Sequence, residues 1–205
     1  MKLILMSKPD FFVEEHQILN ALFEEGLDIL HIRKPYSEPV YSERLLSLIP
    51  EEYRKRIVVH DHFYLKNEYK LKGIHLNPRN LEIPSKYKGH ISFSCHDFDE
   101  VKEHKKKCDY VFLSPIFDSI SKAGYKSNFT HQELLEQSKK KVIDKKVIAL
   151  GGVDLDNIPK LKDYGFGGVG LMGSFWNRFD LHSTQDFKDL INHFRKAKKI
   201  IDKIQ

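Results

Sequence analysis

The chain has few of the residues that cross-link or anchor a protein. Only Cys95 and Cys108 are cysteines among its 205 residues, so a disulfide framework is excluded and reduced thiols are the simplest expectation. No segment approaches the ~18 consecutive apolar residues of a membrane span. The amino-terminal run LILM is shorter than the ~7–15 apolar residues of a secretory signal. We therefore expect a cytoplasmic protein that does not associate with a membrane.

The net charge of the chain is modestly positive, which indicates the kind of ligand it binds. Lys and Arg number 34 and Asp and Glu number 29, a net charge of +5 that suits anionic ligands such as phosphates. The basic runs at 105–107 and 139–141 end helix-like segments, where cations are favourable. No nucleic-acid-binding motif is present. We predict phosphorylated small-molecule substrates and no nucleic acid, and the sequence leaves the oligomeric state open, a homo-oligomer included.

Apolar segments alternate with amphipathic ones along the whole chain. Eight segments rich in Ile, Val, Leu and Phe predict strands, beginning at Lys2, Ile29, Ile57, Gly73, His90, Tyr110, Lys146 and Gly167. Amphipathic periodicity predicts longer helices over 16–25, 40–48, 99–107, 130–141, 156–164 and 185–204. Thr130 and Asp156 are the expected N-caps, and Gly26 and Gly165 the expected helix stops.

Strict alternation of strand and helix predicts a parallel sheet covered by helices. An open doubly wound sheet would fit the same alternation. Eight units in 205 residues, with no GxGxxG motif, favour a single-domain (β/α)8 TIM barrel over residues 1–205.

Polar side chains collect at the ends of six consecutive predicted strands, which is where such barrels place their active sites. In strand order they are Ser7 and Lys8; His31, Arg33 and Lys34; His60, Asp61 and His62; His75 and Asn77; Ser94, Cys95 and His96; and Ser114 and Pro115. A purely structural cause does not account for six consecutive cases. For His75, which has no partner visible in the sequence, a structural role is the better interpretation.

The other predicted strand ends are rich in glycine. Gly151 and Gly152 follow the seventh strand, and Gly173 and Ser174 follow the eighth, before a predicted short helix. Loops at these two places form the recurrent phosphate site of (β/α)8 barrels, because glycine lets backbone N–H groups approach an anion. The sixth loop is rich in hydroxyls, and its Lys122 suggests a pyrophosphate clamp.

Several segments occur together in a distinctive order: GLDILHIRK, IVVHD, KGIHLNPRN, FSCHDFDEV, CDYVFLSPIFDSISKAGY, VIALGGVDLDNI and GFGGVGLMGSFW. Through them the chain resembles the thiamine phosphate synthase/TenI family of small (β/α)8 barrels, over nearly its whole length. The resemblance implies a transferase of thiamine biosynthesis, thiamine phosphate synthase. That enzyme joins an aminopyrimidine-methyl diphosphate to a thiazole phosphate and releases pyrophosphate, assisted by Mg²⁺.

The resemblance also implies roles for individual residues. Arg33 contacts the diphosphate, Ser94 lies beside the bond being broken, and Lys122 binds pyrophosphate. Asp61 and Asn80 are the implied Mg²⁺ ligands. The remaining residues expected to bind substrate are His31, Lys34, His60, His96, Ser119, Ser121, Gly151, Gly152, Gly173 and Ser174.

Four departures from the synthase pattern accompany the likeness. His31 stands in place of a glutamine, and the lysine expected at Pro35 is lost or supplied one place early by Lys34. His60 replaces an asparagine. Asn80 replaces the second metal carboxylate if the register holds; an amide oxygen still binds Mg²⁺ but adds no charge.

Two alternatives to a synthase stay open. TenI-type members share the motif HIR and convert a thiazole phosphate tautomer with a histidine after strand six, but Pro115 occupies that place here. A tautomerase would therefore need another base, His31 or His96. The second alternative is a regulatory barrel that binds thiazole phosphate without catalysis.

Overall fold

Eight parallel strands close into a barrel, each pairing with the next along the chain and the eighth with the first. The computed structural model describes residues 1–118, 126–179 and 184–204. The strands are β1 Lys2–Met6, β2 Ile29–Ile32, β3 Ile57–Val59, β4 Gly73–Leu76, β5 His90–Cys95, β6 Tyr110–Leu113, β7 Val147–Ala149 and β8 Gly168–Leu171. All eight coincide with the predicted strands, which confirms the (β/α)8 TIM barrel.

Helices cover the outside of the strands. They are α1 Glu15–Glu24, α2 Pro39–Ser47, α3 Glu51–Arg54, α4 Leu65–Glu68, α5 Phe98–His104, α6 His131–Lys139, α7 Gly173–Trp176 and α8 Thr184–Lys203. Thr130 caps α6 through a capping box with Glu133, as predicted. The four-residue helices α3 and α4 were not predicted, since one turn is too short for a periodic pattern.

One predicted helix has a different form. The segment over 156–164 is a 3-10 helix at Ile158–Tyr164 with Asn157, not Asp156, at its N-cap. Pro159 in its first turn has no N–H donor, and short tight helices are usual in such connections. The prediction of Asp156 as the cap was wrong, whereas Gly165 ends the helix at φ 75° as expected.

The apolar side chains form two layers. The larger layer lies between the strands and the helices, and the smaller one fills the barrel interior. The interior layer consists of Ile4, Met6, Ile29, Val58, Tyr110, Phe112 and Ile148. Residues two apart in a strand share a face, so His31 and His60 follow Ile29 and Val58 into the interior.

None of the helices described above combines the length and the apolar character needed to traverse a bilayer.

Candidate functional site

The polar strand ends meet at one rim of the barrel, because parallel strands all end on the same side. β2 to β5 contribute histidines, charged residues and a serine, and β7 and β8 contribute glycine loops. Since β3 lies across the ring from β7 in the closed order, the rim has a charged side and, opposite it, a glycine-rich side.

The imidazole of His75 is hydrogen-bonded to the hydroxyl of Ser94. The two residues come from neighbouring strands, and Ser94 Oγ lies 3.0 Å from His75 Nε2. The other ring nitrogen, Nδ1, lies 2.9 Å from Ser92 Oγ. Ser92 donates to the carbonyl of Ile74, so it accepts from His75 Nδ1–H. Nε2 is then the acceptor, and Ser94 donates its proton to it.

A second chain of hydrogen bonds runs beside the first. The Tyr110 hydroxyl contacts His31 Nε2, and His31 Nδ1 lies 2.9 Å from His60 Nε2. Burial raises the pKa of Tyr110, so its hydroxyl stays protonated. Both ring nitrogens of His31 are in use, and the residue has no exposed surface.

These three histidines are neutral. Burial lowers the pKa of His31 and of His60 well below the usual value, and it lowers the pKa of His75 to about 3. Desolvation dominates because all three rings are enclosed, and the nearby Arg33 adds to the shift at His75. The interior below the rim is thus polar but uncharged.

The same three residues are close enough to bind a metal, with one ring nitrogen from each within 4.8 Å of the others. Yet His31 and His75 already use both nitrogens in hydrogen bonds. The rings of His60 and His75 stack on each other at a centroid distance of 4.1 Å. The cluster is therefore a hydrogen-bonded layer of the interior.

Arg33 is a half-buried cation at the rim. Ser7 fixes its backbone, accepting the Arg33 N–H at 2.9 Å. Within the described residues its guanidinium donates no hydrogen bond. Burial lowers the pKa of Arg33, and the charge of Arg79 lowers it further, but a guanidinium stays protonated. A partly desolvated cation without a partner is suited to an anion.

Asp61 and Asn80 lie side by side, as their predicted shared role requires. Asn80 Nδ2 donates to Asp61 Oδ1 at 3.0 Å. Arg79 pairs with the same carboxylate, with Nη2 lying 3.1 Å from Oδ1 and 3.3 Å from Oδ2. The predicted metal ligand is thus already paired with an arginine that the sequence analysis did not single out.

Lys34 does not face the rim. Its Nζ donates to both oxygens of Glu15, at 2.6 and 2.7 Å, and to the carbonyl of Asp10 at 2.9 Å. All three donors are used and the side chain is only 1% exposed. The expected binding of substrate by Lys34 is not supported, because alternation along the chain after β2 turns Arg33 toward the rim and Lys34 toward α1.

On the glycine-rich side of the rim, the loop after β7 packs closely against the loop after β6. Gly151 and Gly152 adopt φ of 85° and 66°, in the left-handed region that favours glycine. A Cβ on Gly152 would lie 2.3 Å from the carbonyl oxygen of Asp118. The β7 loop therefore packs directly on the β6 loop, which is a structural reason for this glycine pair.

Ser174 is the second feature of this side. It lies in α7, whose position is fixed by Trp176 Nε1 donating to the carbonyl of Met6 at 2.7 Å. The Ser174 hydroxyl is buried and has no hydrogen-bond partner in the described part of the chain. A buried unpaired hydroxyl is costly, and a phosphate oxygen would satisfy it.

Comparison with known proteins matches this architecture to one family. The family model described as thiamine monophosphate synthase matches residues 3–175. The chain belongs to the thiamine monophosphate synthase family. This confirms the resemblance stated from the sequence motifs, and with it the prediction of a transferase of thiamine biosynthesis.

Individual relatives of the family agree. The thiamine-phosphate synthase of Flavobacterium johnsoniae is 24% identical over 188 residues, covering 84% of this chain and 87% of the relative. A crystal structure of thiamine phosphate pyrophosphorylase from Bacteroides thetaiotaomicron is 54% identical, with 98% of both chains covered and a TM-score of 0.92. The protein of that name from Pyrococcus furiosus, 16% identical at a TM-score of 0.77, shares the fold.

The structure brings together some of the residues that the family resemblance assigns to the site, but not all of them. Arg33, Asp61, Asn80 and Ser94 lie on the charged side of the rim. His96 is exposed at its edge, with Nδ1 3.1 Å from the carbonyl of Ser114. Lys122, predicted to bind pyrophosphate, and Ser119 and Ser121, predicted to bind substrate, lie outside the described residues.

Two residues of this site were missed or set aside. The sequence favours a structural role for His75, although its place two residues after Gly73 gives it the same inward direction as His31 and His60. Arg79 had no signal in its spacing; only the turn after β4 brings it onto Asp61. His31 and His60, two of the departures from the family pattern, contact each other.

Proposed function

We propose that this chain is a thiamine phosphate synthase that works as a single domain in the cytoplasm. It couples an aminopyrimidine-methyl diphosphate to a thiazole phosphate. The observation that carries the proposal is the arrangement of the rim. Among the described residues, the Arg33 guanidinium after β2 donates no hydrogen bond, and the loops after β7 and β8 bring the glycines and a Ser174 hydroxyl that has no partner. Two anions enter this reaction, and the rim offers one suitable place for each. The two free, buried cysteines fit a reducing compartment.

The reaction needs bond cleavage followed by bond formation. The C–O bond between the pyrimidine methylene and the diphosphate breaks, and its electron pair leaves with the oxygen of pyrophosphate. The resulting methyl cation then accepts the lone pair of the thiazole nitrogen, which forms the new C–N bond. The protein must neutralise the leaving group and align the two rings.

Arg33 binds the diphosphate and stabilises the charge that develops on its bridging oxygen. The half-buried position strengthens this attraction relative to water. Ser94 lies on the adjacent part of the rim, and because its proton is committed to His75, its lone pairs are directed to the developing cation. Lys122, which lies outside the described residues, is the further residue that the family resemblance assigns to pyrophosphate.

The neutral histidines suit a reaction that forms a cation. Protonated imidazoles beneath the rim would oppose the developing charge on the pyrimidine methylene. Because burial keeps His31, His60 and His75 uncharged, the interior presents dipoles without this repulsion. His31 and His60 then support the pocket from below and His75 orients Ser94.

The thiazole phosphate binds on the opposite side. Backbone N–H groups of the loops after β7 and β8 surround its phosphate, and the Ser174 hydroxyl donates to one of its oxygens. The two loops are rigidly joined to their surroundings, Gly152 against the β6 loop and Trp176 against β1. This rigidity holds the thiazole nitrogen toward the pyrimidine.

The residues expected to hold Mg²⁺ do not fit a resident ion in this structure. Asp61 brings a single carboxylate, and it accepts from both Arg79 and the Asn80 amide. Mg²⁺ needs oxygen ligands in octahedral geometry, whereas Asn80 points its nitrogen toward Asp61. No step of this mechanism is therefore assigned to a bound metal.

The tautomerase alternative is weakened at one of its candidate bases. His31 has both nitrogens bonded and no exposure, so it reaches no substrate. His96 is exposed and stays the candidate of that alternative.

The decisive experiment supplies the purified protein with both substrates and measures thiamine phosphate and pyrophosphate. We expect turnover, reduced roughly 10²- to 10³-fold by Arg33→Gln and unaffected by Arg195→Gln, which breaks an exposed pair with Glu25. Conversion of the thiazole phosphate tautomer alone would favour the tautomerase. Saturable thiazole phosphate binding without any turnover would favour the non-catalytic barrel.

A further inference from the structure

Arg79 is held in place by a tight turn that directly follows β4. Asn77 and Asn80 exchange two backbone hydrogen bonds, of 3.1 and 2.8 Å, around Pro78 and Arg79. The Asn77 side chain accepts the Arg79 N–H at 3.1 Å and donates to the carbonyl of His60 at 2.7 Å. Arg79 is therefore mounted on a braced turn at the rim.

The guanidinium of Arg79 is divided between the half-buried carboxylate of Asp61 and solvent. Nε and Nη2 of Arg79 face Asp61, whose side chain is 15% exposed, while the Arg79 side chain is 29% exposed. Nη1 has no acceptor among the described residues. The Tyr36 ring lies over the guanidinium, 5.6 Å from Cζ. Two N–H donors thus remain available on the same rim as Arg33.

The charges here leave no excess of negative charge for a divalent cation. Asp61 and Arg79 neutralise each other, and Asn80 contributes a neutral amide whose N–H is already given to Asp61. Arg33 adds a positive charge nearby. The group as a whole is positive, which favours a polyanion and disfavours Mg²⁺ without one.

We propose that Arg79 binds the diphosphate of the substrate together with Arg33, and that its pairing with Asp61 takes the place of a resident divalent metal. Asp61 serves to orient the planar fork so that Nη1 faces the ligand. This inference rests on the proposed function, which places the diphosphate on this side of the rim. Arg79 is a binding residue that the synthase pattern does not assign.

The test uses inorganic pyrophosphate as the probe and titration calorimetry in EDTA. We expect the wild-type protein to bind it without metal, and Arg79→Gln to weaken binding about 10- to 100-fold, the effect of losing charge-assisted hydrogen bonds. Arg79→Lys keeps the charge but loses the fork, so its affinity should lie between the two. Arg195→Gln is the matched control and should bind as the wild type does.

Mn²⁺ supplies a second readout, because its resonance spectrum reports binding without any turnover. We expect no Mn²⁺ bound to the wild-type protein alone. The double variant Arg79→Gln/Asn80→Asp, which frees Asp61 and adds a carboxylate, should bind it. Circular dichroism confirms that each variant is folded.

Three results would overturn the proposal: pyrophosphate binding that requires Mg²⁺, unchanged affinity in Arg79→Gln, or tight Mn²⁺ binding by the wild-type protein. Any of these could occur with synthase turnover intact, so the proposed function would stand. Conversely, pyrophosphate binding that depends on Arg79, without synthase turnover, would reject the proposed function and leave this inference supported.

Discussion

The Ser94 hydroxyl donates its proton to Nε2 of His75 across 3.0 Å, and the opposite nitrogen of that ring is fixed by Ser92. This arrangement fixes one tautomer of His75 and one direction of the Ser94 proton. A serine in a reacting pocket would otherwise rotate freely. The consequence is a hydroxyl whose lone pairs are oriented before the substrate arrives.

Removing either member of this pair should slow the reaction. We expect Ser94→Ala to lower turnover by about 10²-fold, in the lower range for losing an oriented polar group. His75→Gln should cost a similar factor, because Gln cannot reach both serines. If the residues act as a unit, the double variant should be no slower than Ser94→Ala alone. His16→Gln, on α1, is the control; multiplicative losses in the double variant would contradict the coupling.

The buried histidines predict a stability that falls in acid. The pKa of His75 is about 3 in the folded chain and about 6.5 when unfolded, so below pH 6.5 the unfolded chain binds a proton that the folded chain excludes. Stability is therefore full above pH 6.5 and is lost as the pH falls toward 3. For His75 alone the loss from pH 7.5 to pH 5 is about 2 kcal/mol.

Urea unfolding at these two pH values measures that loss. His31 and His60, whose pKa values are lowered in the same direction, should add to it. His75→Gln should make the difference between the two pH values smaller by about the 2 kcal/mol that His75 contributes. An unchanged difference in that variant would show that His75 is protonated in the folded chain.

Ser174→Ala should separate binding from stability. The hydroxyl has no partner in the described structure, so its removal should not lower the free energy of unfolding. Its proposed hydrogen bond to phosphate would be lost, which should weaken thiazole phosphate binding about 10-fold. Calorimetry measures the affinity, and Ser47→Ala on α2 is the control. Equal affinity in the two variants would remove Ser174 from the phosphate site.

The Lys34–Glu15 pair should matter for folding and not for substrate. Lys34→Met leaves the Glu15 carboxylate buried without a partner, so we expect a loss of about 3–5 kcal/mol in the free energy of unfolding. Burial already raises the pKa of Glu15 to about 7. The double variant Lys34→Met/Glu15→Leu should recover most of the loss. If its folded form bound pyrophosphate more weakly than the wild type, Lys34 would belong to the site after all.

Much of the site could be located from the sequence, and the reason is geometric. In a parallel barrel all strands end at one rim, so a polar residue at the end of an apolar strand is placed as soon as the strand is recognised. Arg33, Asp61 and Ser94 were found in this way. The glycine pair after β7 and the Gly173–Ser174 segment after β8 were found because their positions in the barrel are distinctive.

The partner of each polar side chain could not be predicted in the same way. Lys34 and Arg33 are neighbours in sequence and both cationic, yet the alternation of the chain sends Lys34 to Glu15, 19 residues earlier. His75 has no partner within its own segment because both of its serines lie on β5, 17 and 19 residues later. Contacts across strands depend on register, which short apolar segments specify only when they are packed together.

The sequence by itself determined the eight strands, their order and the side of the barrel on which function lies, because these depend on local apolar pattern and on the handedness and parallel direction of βα units. Only the tertiary structure decided which charges meet. The turn after β4 places Arg79 against Asp61, 18 residues earlier. The carboxylate that the sequence pattern assigns to a metal is therefore paired with an arginine. Ion pairing is set by distance and burial in the folded chain, and no spacing along the chain specifies it.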